Sequence, residues 1–323
     1  MARYWVAAVA LLLTGCTSVV TGAASVDTAD VQRYQEEHAP LTSQLAFGDV
    51  NSVDYCSLLD LDGIKKAGLT DVSGTSPSLS SCEVEGQLSG QKMAVGVGFL
   101  DSGVVDSNRI PDTKKKLDRG LTLSKASYND EYSCLYYLAF TDKVSMQVYV
   151  DNLADAPTSS VADAMCETDD AVLDGVVDSI KAKKVTHLTF GGNSVGAVDA
   201  CQLASDADVQ AQMGPVPVEK KPKIPTKHRC RWQEPVHNNA LSVLLDIGKP
   251  PTGPIEQLGN HPAVINAAGS SCLATTAIRP YPQAKNGEYE LAEVYLYARN
   301  GVADPCVPVR AVANVAFPKL PAS

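Results

Sequence analysis

Alternation of apolar and polar positions gives way to helical spacing at a few places along this chain of 323 residues. Val144, Met146, Val148 and Val150 alternate with more polar neighbours, as a half-buried strand requires. They face the apolar run 135–140 across a turn at Thr141, Asp142 and Lys143, which predicts a β-hairpin. The Val- and Gly-rich run 92–100 predicts another strand. Helical spacing appears at Leu58, Leu61 and Ile64, where an Asp-rich start and Gly68 predict a short helix over 58–67. A longer helix opens at Cys166. Its apolar face is Val172, Leu173, Val176, Val177 and Ile180, with Thr168, Asp169 and Asp170 at the positive end and Lys181, Lys183 and Lys184 at the negative end.

The same order returns in the second half. A hairpin is predicted around Asn286 and Gly287, the favoured type I′ pair. A closing helix starts at Asp304, Pro305 and Cys306, where a first-turn Pro lacks only an N–H that would be unbonded anyway. Short motifs recur with it. Val53-Asp54-Tyr55-Cys56-Ser57-Leu58 is matched by Val198-Asp199-Ala200-Cys201-Gln202-Leu203, Leu45-Ala46-Phe47-Gly48 by Leu188-Thr189-Phe190-Gly191, and Ser133-Cys134-Leu135 by Ser271-Cys272-Leu273. Several matches in one order predict an internal duplication. The expected fold is α+β, with two tandem homologous domains over 41–184 and 185–323, each an antiparallel sheet with helices on one face.

Cysteine usage fits that division. Of nine Cys, Cys16 stands apart, and the other eight form two quartets with no CxxC pair. Bridges closing within each copy leave three schemes per copy. The scheme with the shortest loops pairs Cys56 with Cys82, Cys134 with Cys166, Cys201 with Cys230, and Cys272 with Cys306. Such disulfides belong to an oxidising compartment. The N-terminus agrees with export, because Arg3 precedes an apolar run over 6–13 that is too short to span a bilayer. Leu13, Thr14, Gly15 and Cys16 then have the form of a lipobox, in which the Cys is diacylated and becomes the mature N-terminus. Residues 1–15 are read as a lipoprotein signal peptide and 16–40 as a tether that holds the protein on the extracytoplasmic face of the membrane.

Several of these residues carry a resemblance. The start Asp199-Ala200-Cys201, the triplet Cys230-Arg231-Trp232 and the close Asp304-Pro305-Cys306-Val307 with Phe317-Pro318-Lys319-Leu320-Pro321 resemble a family of actinobacterial cell-envelope lipoproteins classed as a domain of unknown function. The stretch after Cys16, Thr17 to Gly22, is similar to the mature start of many such lipoproteins. The resemblance covers the second copy best. The first departs from it, with Val84 where the pattern has Trp and Ala164-Met165-Cys166 in place of Asp-Pro-Cys. It implies location and fold and brings no catalytic residue.

Charge narrows the partners. With 27 Lys and Arg against 37 Asp and Glu, the formal charge is -10, which disfavours nucleic acid. Against that background Lys220, Lys221, Lys223, Lys227, Arg229 and Arg231 form one basic segment stiffened by Pro215, Pro217, Pro222 and Pro225. It reads as a solvated loop or as a site for an anionic envelope component or the acidic face of another envelope protein. The adjoining Trp232 reads as core beside a disulfide or as a stacking platform. Gly192-Asn193-Ser194-Val195-Gly196 matches the G-x-S-x-G nucleophile pattern. The five His are scattered with no metal-binding spacing, and no cofactor is implied. Two readings remain: a noncatalytic binding module using a groove between the domains or the basic segment, and an envelope hydrolase with Ser194 as nucleophile. A His and a carboxylate within reach of Ser194 would separate them.

Overall fold

The computed structural model describes residues 34, 38–102, 114–126, 131–154, 161–221, 225–284, 286–300 and 302–322. The expected signal peptide, Cys16 and Lys223 lie outside them, and of the tether only Tyr34 and 38–40 lie inside. Met1–Ala39 and Pro40–Ser323 are separate compact units, and both sheets belong to the second.

The first half runs α1 (Ser43–Phe47), β1 (Val53–Asp54), α2 (Leu61–Lys66), β2 (Thr75–Pro77), β3 (Ser81–Leu88), β4 (Gln91–Ser102), β5 (Lys114–Lys116), β6 (Thr122–Lys125), β7 (Ser133–Ala139), β8 (Val144–Asn152) and α3 (Ala162–Lys181). The second runs β9 (Thr186–His187), α4 (Asp206–Met213), β10 (Glu219–Lys221), β11 (Arg229–Gln233), β12 (Ala240–Gly248), β13 (Ile255–Leu258), β14 (His261–Ala268), β15 (Ser271–Pro280), β16 (Tyr289–Tyr297) and α5 (Cys306–Ala316). Each half contributes an antiparallel seven-stranded sheet, ordered β2-β3-β4-β8-β7-β6-β5 and β10-β11-β12-β16-β15-β14-β13. Counted within its own half, each sheet has the same strand order. The long helix of each half covers one face, α3 on β7 and β8, and α5 on β15 and β16. The fold is α+β.

Burial follows the predicted faces. Val172, Val176 and Ile180 of α3 pack with Val95, Val97, Met146, Val148 and Val150, while Val309, Val312, Ala313 and Ala316 of α5 pack with Ala274, Val294 and Leu296. The four expected cysteine pairs are at disulfide distance, with Cα separations of 5.0, 5.3, 4.9 and 5.2 Å in chain order.

Three local expectations are corrected. The first helix divides, because the Asp54 and Asp60 carboxylates each accept a backbone N–H two residues on, from Cys56 and Asp62. A short 3₁₀ turn at Tyr55–Leu58 therefore precedes α2. Helix α3 starts at Ala162, with Cys166 inside it, because buried Met165 extends its apolar face backwards. Thr168 and Asp169, expected at the positive end, are buried mid-helix, and both Asp169 oxygens lack a hydrogen-bond partner. The second hairpin is wider than a two-residue turn. Its strands end at Pro280 and resume at Tyr289, since Tyr281 is buried in the core and donates its N–H to Glu288 O at 2.9 Å.

Candidate functional site in the cleft between the two sheets

The site begins with a break in alternation. Met93, Val95 and Val97 of β4 point into the core, and strict alternation would send Phe99 after them. Instead Gly98 pairs with Gln147 and Asp101 with Ser145, so Phe99 and Leu100 together oppose Met146 in a β-bulge. Leu100 takes the inward place, while Phe99 turns to the outer face at a φ of 48° and remains 37% exposed. Its N–H donates to Ser80 O at 2.6 Å. Gly98 has a φ of 143°, and a Cβ there would stand 2.4 Å from Ser80 O. The equivalent strand β12 pairs with β16 with no register shift, so the bulge is not required by the fold. A non-glycine residue in this region costs on the order of 1–3 kcal/mol and persists where its surroundings hold it.

The outer face around Phe99 is built to carry it. The Tyr149 ring lies 5.9 Å away and crosses Gly96, where a Cβ would come within 2.3 Å of the ring. Its hydroxyl donates to Glu83 Oε1, and burial followed by the nearby Glu83 charge holds the phenol well above its ordinary range.

Two cavities flank Phe99. One, of about 230 Å³, is lined by Ser80, Asp101 and Gln147 from the first half and Thr226 and Arg229 from the second. The other, of about 310 Å³, places Ser81 and Glu83 opposite Asp246, Lys249 and Glu288. The outer faces of the two sheets thus meet on one aromatic ring. A turn of the first half fixes their approach. Leu79 is buried in the second core, its N–H donates to Asp246 Oδ1 at 2.9 Å, and its carbonyl lies 3.3 Å from Nδ1 of His228. Nε2 of His228 lies 3.1 Å from Gly196 O, and burial holds this imidazole below its ordinary pKa.

The described part of the expected basic segment lies on a strand over 219–221, a turn and a second strand from Arg229. Lys220 and Lys221 lie on β10, paired with Trp232 and Arg231 of β11. Lys227 is exposed, and its N–H donates to Asn51 Oδ1 at 2.9 Å. Cys230 and Trp232 point into the core, where Trp232 Nε1 donates to Asp206 Oδ1 at 2.9 Å, so the indole is a core residue. Arg229 and Arg231 alternate with them and project from the outer face into the cleft region. Nε of each is buried and has no hydrogen-bond partner. Burial holds the Asp101 carboxyl above its ordinary value, offset only in part by a hydrogen bond from the Ser102 backbone and then by the charges of Arg229 and Arg231. Further along the same outer face Glu293 is pushed up to about 7 by burial and by the Asp246 charge.

Ser194 occupies a different place. It is 2% exposed, and its hydroxyl donates to Glu290 Oε1 at 2.7 Å while accepting the Gly196 N–H. Glu290 also accepts from Val195 N and from Nε and Nη2 of Arg279. No imidazole bonds Ser194 among the described residues. Nor does any group of three or more His, Cys, Asp or Glu there have the arrangement to hold a metal ion, and no helix among the described residues is long and apolar enough to cross a membrane.

Sequence reading missed Phe99, Asp101 and Gln147. The available signal was Gly98-Phe99-Leu100, two large apolar residues in succession where β4 had alternated with small ones. No family model, curated protein or solved structure matches the chain.

Proposed function

We propose that this chain is a noncatalytic binding protein, lipid-anchored through Cys16 to the extracytoplasmic face of the membrane, and that its ligand sits in the cleft around Phe99. The observation that carries the binding reading is the bulge of β4, which holds a large apolar side chain out of the core, at a backbone cost, between two cavities. The lipobox and the four cysteine pairs at disulfide distance support the location, as does the resemblance to actinobacterial envelope lipoproteins, and the basic segment supports an anionic envelope component or another envelope protein as the partner. The hydrolase alternative lacks support. A nucleophilic serine needs a free base and access to substrate, whereas Ser194 is buried on a carboxylate already neutralised by Arg279.

Two experiments test this reading. Cys16→Ser should move the protein from the membrane fraction to the soluble one, and retention without Cys16 would overturn the anchor. Native mass spectrometry of the parent protein should reveal a retained envelope molecule that Phe99→Ala loses. A parent and a variant that carry the same molecules would overturn the cleft.

A further inference from the structure

We infer that Arg229 and Arg231 form the anion-recognition wall of this cleft, and that the ligand presents a carboxylate or phosphate next to an apolar group. The inference rests on the binding reading above and adds the chemistry of what is bound.

The two arginine side chains leave the same face of β11 because they stand two residues apart. Each has a buried Nε with no partner. Among the described residues neither guanidinium makes a hydrogen bond or an ion pair, although a buried guanidinium nitrogen is ordinarily paired. Like charges held side by side, each with its Nε cut off from water and unpaired, disfavour the free protein. A bound anion would satisfy both, because an arginine fork matches the two oxygens of a carboxylate or phosphate.

The cavity at Arg229 has the matching shape and chemistry. About 230 Å³ accommodates a small acidic group with a ring or short chain. Thr226 and Gln147 supply neutral hydrogen-bonding groups beside Arg229, and Phe99 supplies an apolar wall. Asp101 is the one carboxylate in that lining. Its carboxylate charge interacts with those of both arginines and partly offsets them, so an incoming anion competes with it. The first half has no equivalent. The strand that corresponds to β11 is β3, which carries Glu83 and Glu85 on its outer face. The pair is therefore a feature of one half and not of the fold.

The test is titration calorimetry on the purified full-length chain with benzoate, phenyl phosphate and the neutral isostere benzamide. Benzoate or phenyl phosphate should bind at least tenfold tighter than benzamide, and whichever binds tighter identifies the oxyanion. Arg229→Gln and Arg231→Gln should each remove most of that preference. Their free forms should melt no lower than the parent, because each loses an unpartnered guanidinium, and this also shows that the variants fold. Asp101→Asn should tighten anion binding, an effect that a merely structural Asp101 would not produce. Lys227→Gln, which removes an exposed charge nearby, should change affinity less than twofold. Equal affinity for benzoate, phenyl phosphate and benzamide, or equal losses in Lys227→Gln and Arg229→Gln, would overturn the inference. If charged and neutral probes bind alike and Phe99→Ala abolishes both, the anion wall falls and the cleft stands. If no probe depends on Phe99, the cleft falls with it.

Discussion

The Ser194 hydroxyl donates to Glu290 across 2.7 Å of buried space, tying the start of the second half to its last strand. Glu290 also receives the Val195 N–H and a two-point contact from Arg279, so a 3₁₀ turn at Val195–Ala197, β15 and β16 converge on one carboxylate. Removing one partner leaves the others desolvated and unpaired. Ser194→Ala should cost about 1–3 kcal/mol, and Glu290→Ala more than that, because it leaves the buried Ser194 hydroxyl, the Val195 N–H and the partly exposed Arg279 guanidinium all without their partner. Urea unfolding would measure both. Loss of binding by Ser194→Ala with unchanged stability would contradict the structural assignment.

The four cysteine pairs each close a loop of similar length within one half, with sequence separations of 26, 32, 29 and 34. If unfolded-chain entropy dominates, each bridge contributes about 3 kcal/mol. Replacing Cys272 and Cys306 together by Ala should lower stability by that amount. Replacing Cys272 alone should also leave one free thiol. Peptide mapping without reduction should recover the four pairs, and a fragment linking the two halves would reject the within-half scheme.

What could be read from the sequence depended on which residues carry a local signal. The strands around Cys134 and Cys272 and the helix over Val172 to Ile180 follow from periodicity that burial then obeys, so they were legible. Phe99 was not. Period-two reasoning assigns it to the core, and only the bulge, set by Gly98 against Ser80, reverses it. Asp169 misled for a related reason. An acidic run usually marks a helix start, but Met165 at one more turn of the apolar face extended the helix past it. The basic segment was visible as charge, whereas its division into core-facing Cys230 and Trp232 and cleft-facing Arg229 and Arg231 depends on β11 pairing with β12.

Gly98 is the position on which Phe99 depends. Its φ of 143° lies where side chains rarely go, and an added methyl would meet both Ser80 O and Ser81 Cα within 2.5 Å. Gly98→Ala should cost about 2–3 kcal/mol and shift the Phe99 ring signals in an NMR spectrum, whereas Gly90→Ala, where nothing lies within 4 Å, should leave those signals in place. Unchanged Phe99 resonances in Gly98→Ala would show that the bulge does not hold the ring.

Stability should depend on pH in a direction set by buried carboxyls. Glu293 is raised from an ordinary value of 4.5 to about 7, first by burial and then by the Asp246 charge. A carboxyl whose folded pKa is raised holds its proton more tightly in the folded state. Its contribution is therefore full below about 4.5 and is lost as pH rises through about 7, at up to about 1.4 kcal/mol per pH unit for one group. Asp101, Asp151, Asp169 and Asp246 are raised in the same direction by burial. His228 works oppositely, because burial lowers its pKa and its contribution fades as pH falls below the ordinary imidazole range near 6.5. The difference between parent and Glu293→Gln isolates one group from this sum. Guanidinium unfolding at intervals from pH 4.5 to 8 should show Glu293→Gln becoming steadily more stable relative to the parent as pH rises, with the change concentrated between about 4.5 and 7. A difference that stays flat across that window would mean that Glu293 titrates alike in the folded and unfolded chains, and that the outer face of the second sheet is open to water at β16.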